Sequence, residues 1–195
     1  MRRALLLVLL LLGVGGGVLT LGVRSRGETG ETISRSFALS SDPEVAVLTV
    51  TSSGGLSGKQ TRYVLYGDGR LVMERRGSPE VVYESSEAIL SLPEARDLVG
   101  VAVDHGLLDI SQQQLLAGVK EPSAITDAGS TTVEIQVASY NYNGVERGAV
   151  TNTLRLKEPW ALRRWNPDNA VVAGMAELSV RLAGYRRRLA SGGAR

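Results

Sequence analysis

Residues 62–75 read Arg62-Tyr63-Val64-Leu65-Tyr66-Gly67-Asp68-Gly69-Arg70-Leu71-Val72-Met73-Glu74-Arg75. Two runs suited to strands flank a Gly-Asp-Gly centre. Asp-Gly tolerates positive φ, so the stretch predicts an antiparallel hairpin with a tight turn. Upstream, residues 45–51 (VAVLTVT) form a dense β-branched run and predict another strand, joined to the hairpin by the glycine-rich loop SSGGLSGK at 52–59. Downstream, Val81-Val82-Tyr83 is read as a short fourth piece.

A helix follows. Ser91 and Glu94 have the spacing of a capping box, and Pro93 stands in the first turn, where its missing N–H costs nothing. Apolar residues at Ala95, Leu98, Val99, Ala102 and Val103 make one helical stripe. Gly106 is a natural stop, after which Leu107, Leu108 and Ile110 are expected to tuck under the sheet. Residues 112–119 predict one or two helical turns, and Glu121-Pro122-Ser123 is a break. Residues 131–139 (TTVEIQVAS) alternate Val133, Ile135 and Val137 with polar residues, the pattern of a half-buried strand. Asn143-Gly144 signals a turn, with residues 150–156 as the hairpin partner. Asn166-Pro167-Asp168 reads as cap and first-turn proline of a last helix, whose stripe runs Val171, Met175, Leu178, Leu182, Tyr185, Leu189. That seam spans under three heptads, so it is read as packing on its own sheet rather than as a coiled coil. The order β-β-β-α-β-β-α has more hairpins than crossovers. We therefore expect an α+β domain over residues 45–189, with a mainly antiparallel sheet and two helices on one face.

Ahead of it, Arg2 and Arg3 precede twenty residues without a charge, 4–23. As a helix these reach about 30 Å, the hydrocarbon thickness of a bilayer. Residues 1–23 are expected to be an N-terminal transmembrane helix, or alternatively a cleaved signal. The anchor is preferred because the apolar run outlasts a signal core and no good Ala-x-Ala-like site follows. The orientation expected places the N-terminus inside and the bulk of the chain on the extracytoplasmic side, as a single-pass membrane protein. Residues 24–44 are rich in Ser, Thr, Gly and charge and read as a flexible linker, and residues 190–195 as a disordered tail.

The formal charge of +2 comes from Arg2 and Arg3, and residues 24–195 hold equal numbers of basic and acidic side chains. Such a neutral domain lacks the basic excess that nucleic-acid binding needs. Charge is unevenly placed: residues 24–139 carry a net −6 and residues 140–195 a net +6. The halves of one domain would attract each other. A sharper reading is a basic surface around Arg163, Arg164 and Arg186-Arg187-Arg188 that meets lipid headgroups or an acidic partner. The absence of cysteine removes disulfides, thiol chemistry and a lipoprotein signal, and is ordinary for an exported bacterial protein.

No catalytic, cofactor-binding or metal-ligating set stands out. His105 is the only histidine, and is read first as a helix-end residue that complements the dipole rather than as a base or ligand. One histidine without cysteine cannot build a usual zinc site, and no G-x-S-x-G elbow occurs. The pair Asp104/Asp109 has no distinguishing spacing. Lys59 is followed by Gln60, so the 52–59 loop is not a phosphate loop. It reads as a hairpin loop whose Ser53, Gly54, Gly55 and Leu56 are candidates for contact with a partner. Trp160 and Trp165 are candidates for an interface anchor, although at least one is expected to close the end of the core. Tyr140-Asn141-Tyr142-Asn143 is read first as cross-strand packing, with sugar or peptide contact as the alternative.

The run 47–58 (VLTVTSSGGLSG), the helix 92–110 (LPEARDLVGVAVDHGLLDI) and Asp127-Ala128-Gly129 before a strand resemble emfourin-type bacterial domains, proposed inhibitors of thermolysin-like metalloproteases, and related uncharacterised domains. The likeness covers roughly residues 45–189 in element order, and this chain adds the export segment, a longer middle loop and a longer second hairpin. The resemblance implies a non-enzymatic domain that works by contact with another protein. The expectation is thus a membrane-tethered, extracytoplasmic, non-enzymatic contact domain, attached through residues 4–23 and needing no cofactor. The alternatives are a metalloprotease inhibitor, with a protease as partner, and a small-ligand-binding domain with an apolar cavity lined by Met73, Met175 and Tyr185. An enzyme using Asp or Glu alone would need Asp104, His105 or Asp109 together in a deep pocket.

Overall fold

A computed structural model describes residues 23–26, 32–54, 58–77, 81–120 and 129–192. In chain order these form β1 (Val23–Arg26), β2 (Thr32–Ala38), β3 (Ala46–Ser53), β4 (Gln60–Tyr66), β5 (Arg70–Arg76), β6 (Val82–Ile89), α1 (Leu92–Asp104), α2 (Gln112–Gly118), β7 (Ser130–Val137), β8 (Ser139–Tyr142), β9 (Val145–Glu146), β10 (Val150–Lys157), α3 (Pro159–Leu162) and α4 (Ala170–Gly192). The chain is α+β and its strand pairs are antiparallel, as expected. The described residues differ from the expected architecture in having two sheets and four helices. One sheet has the order β10-β7-β3-β4-β5-β6 and the other β1-β2-β8-β9.

The 62–75 hairpin is present. β4 and β5 pair Tyr63 with Met73 and Leu65 with Leu71, and Gly69 turns the chain at φ +89 while donating its N–H to the Tyr66 carbonyl at 3.0 Å. The fourth piece is a full strand, β6, rather than the short stretch expected. Alternation sets the core face of the large sheet. Leu48, Val50, Tyr63, Leu65, Leu71, Met73, Val133, Ile135 and Leu154 stand opposite one another in register and are all buried. The stripes of α1 and α4 join the same cluster: Leu98, Val99, Val103, Met175, Leu178 and Leu182 are each no more than 1 % exposed.

α1 starts as read. The Ser91 hydroxyl accepts from the Glu94 N–H, the Glu94 carboxylate accepts from the Ser91 N–H at 2.9 Å, and Pro93 lies in the first turn. Gly106, at φ +73, ends it, and the Leu107 N–H reaches back to the Ala102 carbonyl. α2 repeats the capping-box arrangement with Ser111 and Gln114. The cap of α4 is Asn169, whose carboxamide oxygen accepts from the Val172 N–H at 3.1 Å, and not the Asn166-Pro167-Asp168 group expected. Asn166 is buried and engaged elsewhere: its oxygen accepts from the Lys120 N–H and its nitrogen donates to the Lys120 and Leu162 carbonyls.

The largest correction concerns residues 24–44, expected to be a flexible linker. They contain β1 and β2, and β2 pairs with β8 from Arg35↔Tyr142 to Ala38↔Ser139. Arg35 explains why so polar a strand is held. Only 9 % exposed, it donates to the Asp109 carboxylate at 2.8 Å and to the Asp104 carbonyl at 3.2 Å. Asn143-Gly144 is also placed differently. Both residues have positive φ (+51 and +84), as a two-residue hairpin turn requires, but they join β8 to β9 rather than β7 to β10. β7 and β10 do pair, from Val150↔Val137 to Lys157↔Ser130. Residues 4–22 of the apolar segment lie outside the described residues, as do 193–195 of the expected tail, whereas 190–192 continue α4 and are not disordered. Val23 opens β1. Among the described residues no helix is long and apolar enough to cross a membrane.

Candidate functional site

α1 and α4 run side by side, and their facing side chains bound a groove of about 500 Å³ with Phe37 of β2 on its wall. Leu92, Pro93 and Val101 supply apolar surface, and Asp97, Asp104, His105, Glu177 and Arg181 supply polar groups. The α1 positions that line it (92, 93, 96, 97, 100, 101 and 104) recur at helical spacing and lie beside the core-facing stripe. The groove is therefore a second face of the same helix, legible as a helix but not as half of a groove until α4 and β2 are in place.

Most of its charges are committed to one another. Arg181 donates to Glu177 one turn earlier, at 3.0 Å from Nε to Oε1, and to Asp97 across the groove. His105, the cap residue at the end of α1, brings Nε2 to 3.3 Å from Glu177 Oε2. Partial burial by itself would raise the Glu177 carboxyl. The bonds from Arg181 and His105 outweigh it and hold the group below the usual carboxylate range.

Asp104 is the exception. Burial raises its carboxyl above the ordinary value, against the opposing pull of His105 and Arg35, and its Oδ1 is buried without a hydrogen-bond partner. An acid whose folded value is raised destabilises the fold when ionised, and that penalty vanishes as pH falls below the ordinary carboxylate range. Asp104→Asn is therefore expected to raise the melting temperature at neutral pH and to lose this advantage on acidification. Melts of both proteins from neutral to acidic pH check this; a variant less stable at neutral pH contradicts it.

The structure brings Asp104 and His105 to this groove and keeps Asp109 out of it. Asp109 is held by Arg35 and accepts from the Tyr140 hydroxyl at 2.7 Å. Tyr140 is fully buried, and burial raises its hydroxyl further from ionisation. Tyr142 stacks near the guanidinium groups of Arg35 and Arg147. This is the cross-strand packing expected of the Tyr-Asn-Tyr-Asn stretch. Met73 and Met175 are at most 1 % exposed within the packed core, so the groove is not the sheet–helix cavity considered from sequence. Among the described residues no group of three His, Cys, Asp or Glu side chains is placed to hold a metal ion.

Ser53 ends β3, where its hydroxyl meets Ser130 at 2.9 Å, and the Gly54 N–H donates to the Lys59 carbonyl. Gly55 and Leu56 lie outside the described residues. Trp160 and Trp165 are 64 % and 60 % exposed, so neither closes the core. Leu162 and Asn166 take the inward positions of that turn instead. The sequence alone does not single out Phe37, Asp97, Gly100, Glu177 or Arg181: Phe37 falls in the stretch read as linker, while the i,i+4 spacing of Glu177 and Arg181 is a readable sign of an ordered pair. No protein-family model matches the chain, and no curated protein matches it.

Proposed function

We propose that this chain is a membrane-tethered, extracytoplasmic, non-enzymatic domain that acts by protein–protein contact, with the α1–α4 groove receiving an apolar side chain of the partner. Gly100 carries this reading. It sits in the middle of α1, where glycine costs about 0.5–1 kcal/mol relative to alanine. A Cβ at this position would meet nothing within 4 Å, so packing does not demand the glycine. Gly174 of α4 is different, because its Cβ would lie 2.5 Å from His105 Cβ. The fold explains Gly174, whereas Gly100 is explained by a groove that has to stay open.

Two substitutions test this. Gly100→Ala is expected to stabilise the domain by up to about 1 kcal/mol, read by denaturant unfolding. Gly100→Leu fills the groove, and is expected to fold normally while weakening partner binding at least about tenfold. The emfourin resemblance makes a thermolysin-like protease the first partner to assay, with Leu56→Asp as the comparison for the 52–59 loop. Partner capture from membranes by the full chain that is unchanged by Gly100→Leu would remove the groove from the proposal. Fractionation unaltered by deletion of residues 1–23 would remove the tether.

A further inference from the structure

We propose a second binding surface, distinct from the groove and independent of it: the turn carrying Trp160, Arg163, Arg164 and Trp165 docks on anionic phospholipid headgroups. α3 continues past Leu162 in helical fashion, since the Arg163 N–H donates to the Pro159 carbonyl and the Asn166 N–H to the Leu162 carbonyl, each at 3.0 Å. Residues 159, 162 and 166 point inward and are buried. Residues 160, 163 and 164, at i, i+3 and i+4, share the opposite face, and Arg163, Arg164 and both indoles are exposed. The turn thus reverses the usual economy of a fold by giving its largest apolar side chains to the outside.

With Lys157 and Lys120, the basic residues at this turn number four, against two acids among the described residues. Lys157 is exposed one residue before Glu158. Lys120 and Trp165 flank a hollow of about 280 Å³ at the foot of α4. Asn166 pins the Lys120 backbone through both its N–H and its carbonyl, so the residue is fixed on the rim of the hollow that Trp165 and Asp168 also line. Among the described residues the nearby acids are Glu158 and Asp168. Glu158 is partly occupied in accepting the Gly129 N–H at 3.1 Å, and it adopts the left-handed conformation (φ +30) that turns the chain from β10 into α3.

Indoles beside guanidinium groups suit the headgroup layer. The ring sits amphipathically at the boundary between water and hydrocarbon, and the planar guanidinium binds phosphate through two parallel bonds. Juxtaposed basic residues add attraction to anionic lipid that falls with ionic strength. An acidic protein would share the charge preference. Protein interfaces, however, are depleted of lysine, whereas Lys157 precedes this turn and Lys120 shares a hollow with Trp165.

The chain's two tryptophans both lie on this turn, so indole fluorescence reports on this surface alone, and residues 4–23 contribute nothing to it. The full chain is reconstituted into vesicles of phosphatidylcholine, with or without phosphatidylglycerol. With phosphatidylglycerol we expect a blue shift of emission and quenching by brominated lipid chains. Both effects should be reduced by salt and lost in the double variant R163E/R164E, whose fold is checked by circular dichroism. Emission that is the same in both vesicle types, or unaltered in the double variant, overturns the proposal. An equal blue shift with soluble polyglutamate also overturns it and assigns the turn to an acidic protein.

Discussion

Arg35→Ala is expected to destabilise the domain by about 3 kcal/mol, the cost of leaving a largely buried charge without its partner. The Arg35 side chain is 10 % exposed and that of Asp109 18 %, with Nε and Oδ2 2.8 Å apart. Its removal strips Asp109 of its cation, leaves the Tyr140 hydroxyl bonded to an uncompensated carboxylate, and frees the Asp104 carbonyl of one donor. Since a typical domain is stable by only about 5–15 kcal/mol, this is a large fraction. Arg35→Lys should lose less, because it keeps the charge but not the fork that reaches both acceptors. Urea unfolding measures both variants, and amide exchange in β2 and β8 should rise in the alanine variant. A loss under about 1 kcal/mol, the range of exposed pairs, would mean that the small sheet is held by something other than this pair.

Gly174→Ala should have the second-largest effect, a loss of about 1–3 kcal/mol typical of overpacking. The new Cβ would stand 2.5 Å from His105 Cβ, 2.8 Å from Cγ and 2.9 Å from Leu107 Cδ1. Leu107 can rotate away, but His105 Cβ is fixed to the backbone at the end of α1. The helices must therefore separate, and the contact of His105 with Glu177 weakens with them. The sign is opposite to that expected for Gly100→Ala, although both replace a helical glycine by a better helix former. Thermal melts of the two variants side by side check the contrast; a stabilising Gly174→Ala would show that α1 and α4 can move apart freely.

Features set by neighbours in sequence were legible. Ser91, Pro93 and Glu94 start α1 because a capping box closes within four residues. Gly69 turns the β4–β5 hairpin because its φ is positive, and the alternation of Val133, Ile135 and Val137 orients β7. Features set by distant partners were not. Asn166 looks like a cap, but tertiary bonds to Lys120 occupy it, and Asn169 takes the cap three residues on. β2 looks like linker because burial of Arg35 depends on an aspartate 74 positions away. Trp160 and Trp165 look like core by composition, yet Pro159, Leu162 and Asn166 face inward.

The groove follows the same division. Local periodicity made α1 and α4 helices and decided which stripe of each meets the sheet, because hydrogen bonding and side-chain direction repeat every few residues. The juxtaposition of Phe37, Gly100, Asp104 and Glu177 arises only from the crossing of three elements far apart in sequence, whose approach Gly174 permits. Chain order sets the elements through short-range geometry. The identity of a recess, and the burial of a charge inside it, depend on long-range packing that no stretch of the chain contains by itself.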